Sequence, residues 1–288
     1  MDAAELIKRV RRIEIKTRGL SQQIFAGEYH SAFKGKGMAF SEVREYQFGD
    51  DVRSIDWNVT ARFNHPYVKV FEEERELTVM LIIDVSASRE FGTATQLKKN
   101  LITEVSAVLA FSAIQNNDKI GVVLFSDRIE KFIPPKKGKQ HILRIVRELI
   151  EFKPESRGTN IAGGLRYFTN VIKKRSTAFL ISDFIDSGYE DAVKIASKKH
   201  DLIALNIFDE REAELPPVGL IYMKDSETGK KLWVDSSNKK TRALYRKHWV
   251  EKQNFASDIF TKYGINAANL GTSKDYIKPL MNLFKKRF

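Results

Sequence analysis

Residues 77–88 read Leu-Thr-Val-Met-Leu-Ile-Ile-Asp-Val-Ser-Ala-Ser (LTVMLIIDVSAS). A short apolar run rich in branched residues and closed by turn chemistry is the pattern of a strand buried on both faces of a parallel sheet. The run stops at Asp84-Val85-Ser86-Ala87-Ser88, so a carboxylate and two hydroxyls leave the carboxyl end of the strand at alternate positions. Open α/β sheets place their ligand sites at that end. Asp84, Ser86 and Ser88 are hard oxygen donors, suited to Mg²⁺ or Mn²⁺ and not to a soft metal. A plainer reading has Asp84 capping the next helix while the serines bond the backbone of the turn. The stretches downstream decide between the two.

After the turn, Leu97, Leu101, Val105, Val108, Leu109 and Ile114 keep helical spacing to Asn117. Residues 119–125 (KIGVVLF) form a second buried strand, and residues 128–133 a short edge strand before Pro134-Pro135. Ile142, Ile145, Val146, Leu149 and Ile150 mark a helix. The glycine-bearing loop Ser156-Arg157-Gly158-Thr159-Asn160 leads to another helix through Leu165, Phe168 and Ile172. Residues 177–181 (TAFLI) are a further buried strand ending in Ser182-Asp183-Phe184; a helix over 189–199 and a strand over 202–208 follow. Strands alternating with helices predict an α/β fold with a doubly wound, mostly parallel sheet. Residues 216–240 interrupt the alternation. There Ile221-Tyr222-Met223 and Leu232-Trp233-Val234, joined across Glu227-Thr228-Gly229, read as an inserted β-hairpin. A helix from Thr241, a short apolar segment at 265–270 and a last helix to Arg287 complete the chain.

Upstream the character differs. Residues 2–24 read as an amphipathic helix with Leu6, Val10 and Ile13 on one side. Residues 25–76 are rich in glycine, aromatics and short alternating runs, which predicts irregular β structure. The expected division is therefore 1–76, a helix plus a β-rich segment, and 77–288, the α/β domain carrying the hairpin. Gly35-Lys36-Gly37 is no dinucleotide fingerprint, because Phe40 stands where the third glycine belongs, and no GK[ST] follows to make a phosphate loop. Arg44, Asp50, Asp51, Arg53, Asp56 and Arg62 interleave the two charges, a mixture suited to bidentate arginine–carboxylate pairs shielded by Phe48 and Trp57. The consecutive Glu72, Glu73 and Glu74 cannot converge on one ion from a single face and read as a solvated edge.

Composition excludes several classes. The 288 residues contain no cysteine, which removes disulfides, thiolate metal sites and cysteine nucleophiles and agrees with a reducing cytoplasm. The start has no signal-peptide core, and no run approaches the roughly 18 apolar residues that cross a bilayer, so a soluble, cytoplasmic protein with no membrane span is expected. A formal charge of +12 invites a nucleic-acid reading. No zinc-finger or RNP-type motif accompanies it, and runs such as Lys173-Lys174-Arg175 suit a solvated helix face. An acidic protein partner or an anionic surface uses the same charge without such motifs.

Two further oxygen donors fall where a doubly wound sheet delivers them: Thr159 in a loop before a helix, and Asp183 at the end of a later buried strand. DxSxS at 84–88, Thr159 and Asp183 resemble the metal-ion-dependent adhesion site of von Willebrand factor A domains. That resemblance implies that Ser86, Ser88 and Thr159 touch a divalent metal directly while Asp84 and Asp183 act mainly through water. The stretch from Gly35 to Arg75, with GDDVRSIDWNVTAR and VFEEERE, resembles the bacterial family called domain of unknown function 58. The resemblance implies a non-enzymatic protein-binding module that takes an acidic residue of a partner, with a MoxR-type AAA+ ATPase as the associated machine in complex assembly or chaperone-like remodelling. Some relatives carry amino-terminal membrane spans, and this sequence departs from them. It also has Arg89 after the second serine, where a small apolar residue or methionine is commoner. Two readings of Arg89 follow, repulsion of the ion or pairing with the partner's carboxylate.

Other classes fare less well. A metal-dependent hydrolase or phosphatase needs a base or nucleophile at the ion. The five histidines (His30, His65, His141, His200, His248) form no HExxH, no GxSxG turn occurs, and DVSAS is not a DxDx phosphate-transfer loop. A metal-free scaffold with a decayed site is the remaining alternative.

Overall fold

In the computed structural model, alternating residues give two antiparallel strands, β1 (Ala39–Glu45) and β2 (Tyr67–Glu72), within a unit spanning Phe33–Leu77. The structure describes residues 8, 11, 13, 14, 39–72, 77–92, 97–224 and 229–285. Between β1 and β2 lies a helix the alternation did not foretell, α1 (Trp57–Phe63). Asp56 caps it by accepting from the Asn58 and Val59 amides, and Asn64 ends it in the left-handed region at φ 59°. Arg44 grips Asp50 with two bonds of 2.7 Å, one of the expected bidentate pairs. The other carboxylates go elsewhere: Asp51 and Asp56 are taken by backbone amides, and Asp56 also meets Lys69 at 3.4 Å. The expected aromatic shield is absent, since Phe48 is fully exposed and Trp57 is 67% exposed. A capping carboxylate is already satisfied by amides at the surface, so nothing has to be covered.

The second unit comprises Met1–Ala32 and Thr78–Phe288. Of the expected amino-terminal helix, Lys8, Arg11, Ile13 and Glu14 are described; all four are helical, and the remainder lies outside the described residues, as do Gly35, Gly37 and Glu73 to Glu76. Glu14 pairs with Lys139 at 2.6 Å.

The opening stretch is the middle of the sheet. β3 (Thr78–Asp84) is followed by α2 (Lys98–Gln115), β4 (Lys119–Phe125), β5 (Ile129–Lys136), α3 (Lys139–Glu151), α4 (Ile161–Val171), β6 (Thr177–Ser182), α5 (Glu190–Lys199) and β7 (Asp201–Phe208). A four-residue α6 (Glu210–Ala213), the hairpin β8 (Leu220–Lys224) and β9 (Lys231–Asp235), α7 (Lys239–Lys262), β10 (Asn266–Gly271) and α8 (Ile277–Lys285) complete the chain. The six-stranded sheet has the order β10-β7-β6-β3-β4-β5. All its pairings are parallel except β4 with β5, which Pro134 and Pro135 suit because an edge strand need not donate on its outer side. The segment at 265–270, read without an element, is the sixth strand. The hairpin stands where it was expected, with Tyr222 opposite Trp233.

Helices cover both faces. On one, α4, α5 and α7 bury Leu165, Phe168, Val193, Ile259 and Phe260 against Met80, Ile82, Val123 and Leu180. Gly164 lets α4 approach β4 so closely that a Cβ there would stand 2.8 Å from the Phe125 ring. β3 therefore has no polar face, which is why its sequence runs apolar without alternation. The chain fills the β4–β5 side first and then returns to β6 on the other side of β3. The carboxyl ends of β3 and β6 are thus the switch point where a doubly wound sheet opens a crevice.

One core group gives the fold a pH dependence. His200 is buried with Nδ1 3.0 Å from Ser176 Oγ and its ring 4.4 Å from that of Phe168. Burial, followed by the charges of Lys199 and Arg175, pushes its pKa down to about 4. The unfolded chain takes up the proton near pH 6.5, the ordinary value, while the folded chain resists it, so stability is full above that pH and is lost as pH falls toward 4. Urea midpoints measured from pH 7 to pH 4.5 are expected to fall by the equivalent of about 1 kcal/mol more in wild type than in His200→Gln, after allowance for screening. Parallel curves would remove His200 as the cause.

Candidate functional site

The apolar register of β3 forces Asp84 into the sheet's carboxyl rim, where it is 3% exposed. A carboxylate there must be met by donors. The Ser86 amide donates to Oδ1 at 2.9 Å, and Ser182 Oγ donates to Oδ2 at 2.7 Å across the switch point. Ser182 accepts in turn from the Phe184 amide at 3.1 Å. Phe184 adopts φ 57°, a left-handed conformation unusual for an aromatic residue, and is held there by burial and by Phe260, whose ring centroid lies 4.9 Å away. The turn after β6 is thereby fixed, and with it Asp183.

Four of the five expected ligands, Asp84, Ser86, Ser88 and Asp183, meet on this rim. Ser86 Oγ and Ser88 Oγ are 3.0 Å apart, and the Ser88 hydroxyl is also a hydrogen-bond partner of the Asp183 side chain. The Ala87 amide donates to the Arg157 carbonyl at 3.0 Å, which draws the loop bearing Thr159 to the DxSxS turn. The Asn160 amide bonds the Ser126 carbonyl, and the Asn160 side chain caps α4, anchoring that loop at both sheet and helix. Asp84, Ser86, Ser88 and Asp183 are thus joined by hydrogen bonds, and Thr159 follows through its loop. A cavity of about 10 Å³ lies among Asp84, Ser88, Ser182 and Asp183, with Lys98, Arg89 and Ile207 also on its wall. That volume is about one water-sized sphere.

Two charged partners were not foreseen. Lys98, at the first position of α2 and 1% exposed, donates to Asp183 Oδ2 at 2.8 Å and to Glu212 Oε1 at 2.6 Å. Glu212 belongs to a capping box on α6, in which Asp209 accepts from the helix and Glu212 reaches back to the Asp209 amide. The signals were present: a lysine in the first turn opposes the helix dipole unless acids meet it, and D-x-x-E at 209–212 is a capping signature.

Burial, then the charge of Asp183, pushes the Asp84 carboxyl up to about 7. Burial pushes Asp183 the same way, but the charge and hydrogen bond of Lys98 outweigh it and leave Asp183 below the usual carboxylate range. Burial alone would lower Lys98; the two acids raise it instead. Glu212 stays raised, burial and the Asp183 charge exceeding the help from Lys98.

Of the two readings of Arg89, its burial disfavours pairing with a partner's carboxylate, while its place on the cavity wall near Asp84 leaves repulsion of an ion open. Arg89 is 4% exposed and turned inward, with Nη2 donating to the Phe152 carbonyl at 2.6 Å and its guanidinium 5.9 Å from the Phe152 ring centroid. It braces the end of α3 and is not presented to a partner. Among the described residues no group of three or more His, Asp or Glu side chains converges, so the donor set is one of hydroxyls and two carboxylates.

A doubly wound six-stranded sheet with one antiparallel edge, helices on both faces and this rim at its switch point is a von Willebrand factor A-like domain. The chain belongs to the family described as "Protein of unknown function DUF58", whose model matches residues 42–254. The uncharacterized protein Rv1480 of Mycobacterium tuberculosis is 30% identical over 233 residues, which cover 80% of this chain and 73% of that one. YeaD of Bacillus subtilis is 27% identical over 109 residues, 38% of this chain and 25% of that one. Among solved structures, the conserved hypothetical protein BatB from Bacteroides thetaiotaomicron is similar with a TM-score of 0.49 at 15% identity, covering 73% of this chain and 98% of that one. No helix among the described residues is long and apolar enough to cross a membrane.

Lys98→Met leaves Asp183 and Glu212 facing each other in the interior without their cation. The loss is expected to be about 3 kcal/mol or more in urea unfolding. The double variant Lys98→Met, Glu212→Gln should recover part of it. Additive losses would show that the triad is not one unit.

Proposed function

We propose that the rim binds one Mg²⁺ or Mn²⁺ and, through it, an acidic residue of a protein partner, so that the chain works as a metal-dependent binding module and not as an enzyme. The observation that carries this is the 3.0 Å separation of the Ser86 and Ser88 hydroxyl oxygens. Octahedral coordination at 2.0–2.1 Å puts adjacent oxygens about 3.0 Å apart, so the two hydroxyls already stand as neighbouring ligands. The cavity beside Asp84, Ser88 and Asp183 is about one water-sized sphere, room for a water that links the carboxylates to an ion.

Ser86 and Ser88 are the direct ligands in this reading, with Thr159 brought in by its loop. Asp183 is committed to Lys98 and Asp84 to Ser182 and the Ser86 amide, which suits both to act through water. Because the direct donors are neutral, a bound dication remains electron-poor enough to accept a carboxylate from outside. Lys98 keeps Asp183 from swinging onto the ion, and Arg89 keeps the 3₁₀ turn after Ser86 tied to α3. The family resemblance implies a MoxR-type AAA+ ATPase as the partner, and the cysteine-free composition agrees with the cytoplasm as the compartment.

Histidine placement favours binding over hydrolysis. His141 Nε2 lies 2.9 Å from the Ile120 carbonyl and His200 is packed on Phe168, so neither stands at the rim as a base.

Calorimetric titration of Mg²⁺ and Mn²⁺ into wild type and Ser86→Ala tests the site. Binding should weaken by about tenfold or more in the variant, with its circular dichroism unchanged. Equal heats in both proteins reject the site. A pull-down from lysate with and without chelator, with the captured proteins identified, tests the partner: a retained AAA+ ATPase released by chelator is expected.

A further inference from the structure

The hairpin and α7 carry an apolar surface that the rim does not use. Side chains opposite one another on antiparallel strands share a face, so Ile221, Met223, Leu232 and Val234 form one face of the hairpin and Leu220, Tyr222 and Trp233 the other. The first face is apolar and the second sets Leu220, Tyr222 and Trp233 among Lys224, Lys231 and Asp235, yet none of the apolar residues is buried: Leu220, Leu232 and Trp233 are exposed by more than 60%. A two-stranded sheet has no core of its own and is marginal in water unless something covers it. Between the inner face and α7 runs an open groove of about 470 Å³, walled by Leu215, Met223, Val234, Leu244 and Tyr245. A groove of that size takes several side chains of a ligand.

Charge says what covers it. From Lys239 to Lys252, α7 carries six basic residues against the single acid Glu251; Arg246 pairs with Glu214 at 3.2 Å, Lys247 with Glu251 at 3.8 Å, and Arg242 bonds the Ser236 and Ser237 carbonyls, which leaves Lys239, Lys240 and Lys252 to a partner. Lys224 and Lys231 add to this on the hairpin, Lys231 lying over the Tyr222 ring. An apolar groove on a hairpin and helix that carry an excess of lysine matches a segment whose apolar side chains alternate with carboxylates. Concavity favours a polypeptide over a membrane, because a flat lipid surface reaches the outer face of the hairpin but cannot fill the groove.

We infer that the groove between the β8–β9 hairpin and α7 is a second protein-docking site, for an acidic amphipathic segment of a partner. It needs no metal and stands apart from the rim reading. The two are nonetheless linked through the fold. Tyr245, which lines the groove, is raised in pKa by burial and then by the charge of Glu212, the acid that holds Lys98. Further along α7, Gln253 donates to the Asp183 carbonyl at 3.3 Å. One partner can therefore engage both places, or a segment in the groove can bear on the rim.

The test pans a display library of short random peptides against the full chain in the presence of a chelator, so that failure of the rim proposal leaves it untouched. Enriched peptides should combine Leu, Ile or Phe with Asp and Glu. A synthetic copy, titrated by the fluorescence of Trp233 and its neighbours, should bind about tenfold or more weakly to Leu244→Glu and weaken severalfold as salt rises from about 0.05 to 0.3 M. Leu244 is 69% exposed, so that variant is expected to fold. Enrichment of basic or uncharged peptides, no enrichment, or equal affinity for Leu244→Glu overturns the proposal. So does saturable binding to phosphatidylserine vesicles that is lost in Leu244→Glu while no peptide is selected, since that assigns the surface to a membrane.

Discussion

Three carboxylates and one ammonium, all placed behind the sheet's carboxyl edge, set the terms for everything on the rim. Asp183 and Glu212 face Lys98 out of water, and such a triad is held as tightly as it is because each member is costly to leave alone. Lys98 comes from the start of α2, Asp183 from the end of β6 and Glu212 from the helix after β7. One ammonium therefore ties together three segments that the sheet order sets around β3, β6 and β7. Asp84 is left outside that balance, with Ser182 and a backbone amide for donors and no cation on its oxygens. A rim built this way is fixed in position from three sides.

The elements legible in the sequence are those whose physics is local. β3, β4, β6 and β7 are apolar runs that no surface position tolerates, and their bounds fall within a residue or two of the pattern. The placement of Asp84, Ser86 and Ser88 at the strand's carboxyl end was equally readable, because DxSxS follows directly once its strand is placed. β10 was not: Asn-Ala-Ala-Asn-Leu-Gly carries little β-branched or aromatic character, and it is a strand because β7 beside it leaves amides and carbonyls to be paired. α1 was hidden for a related reason, since the acid that caps it looked like one half of an ion pair.

Lys98 and Glu212 show where reading residue by residue runs out. They are 114 positions apart, and each looks like a solvated helix residue until the sheet order puts them together. Arg89 shows the same limit from the other side. Beside Ser88 it looks functional, but a 3₁₀ turn from Ala87 to Glu90 aims it inward at the Phe152 carbonyl. In both cases the deciding quantity is direction, which depends on the turn following a strand and not on the distance from a motif.

The insertion after β7 extends the same logic. A chain that had only to return from β7 to β10 could do so with one helix, and α7 alone has the length to cross the sheet. The hairpin is thus surplus to the sheet, and its exposed Trp233, Tyr222 and Leu220 contribute nothing to the core described by Leu180, Ile82 and Phe260. Surplus apolar surface in water is unfavourable unless a partner removes it. Because α7 also touches the Asp183 backbone through Gln253, a partner that settles the hairpin acts on the helix whose other contacts fix the rim. The place where the fold departs from a plain doubly wound sheet is also the place from which the rim can be sensed.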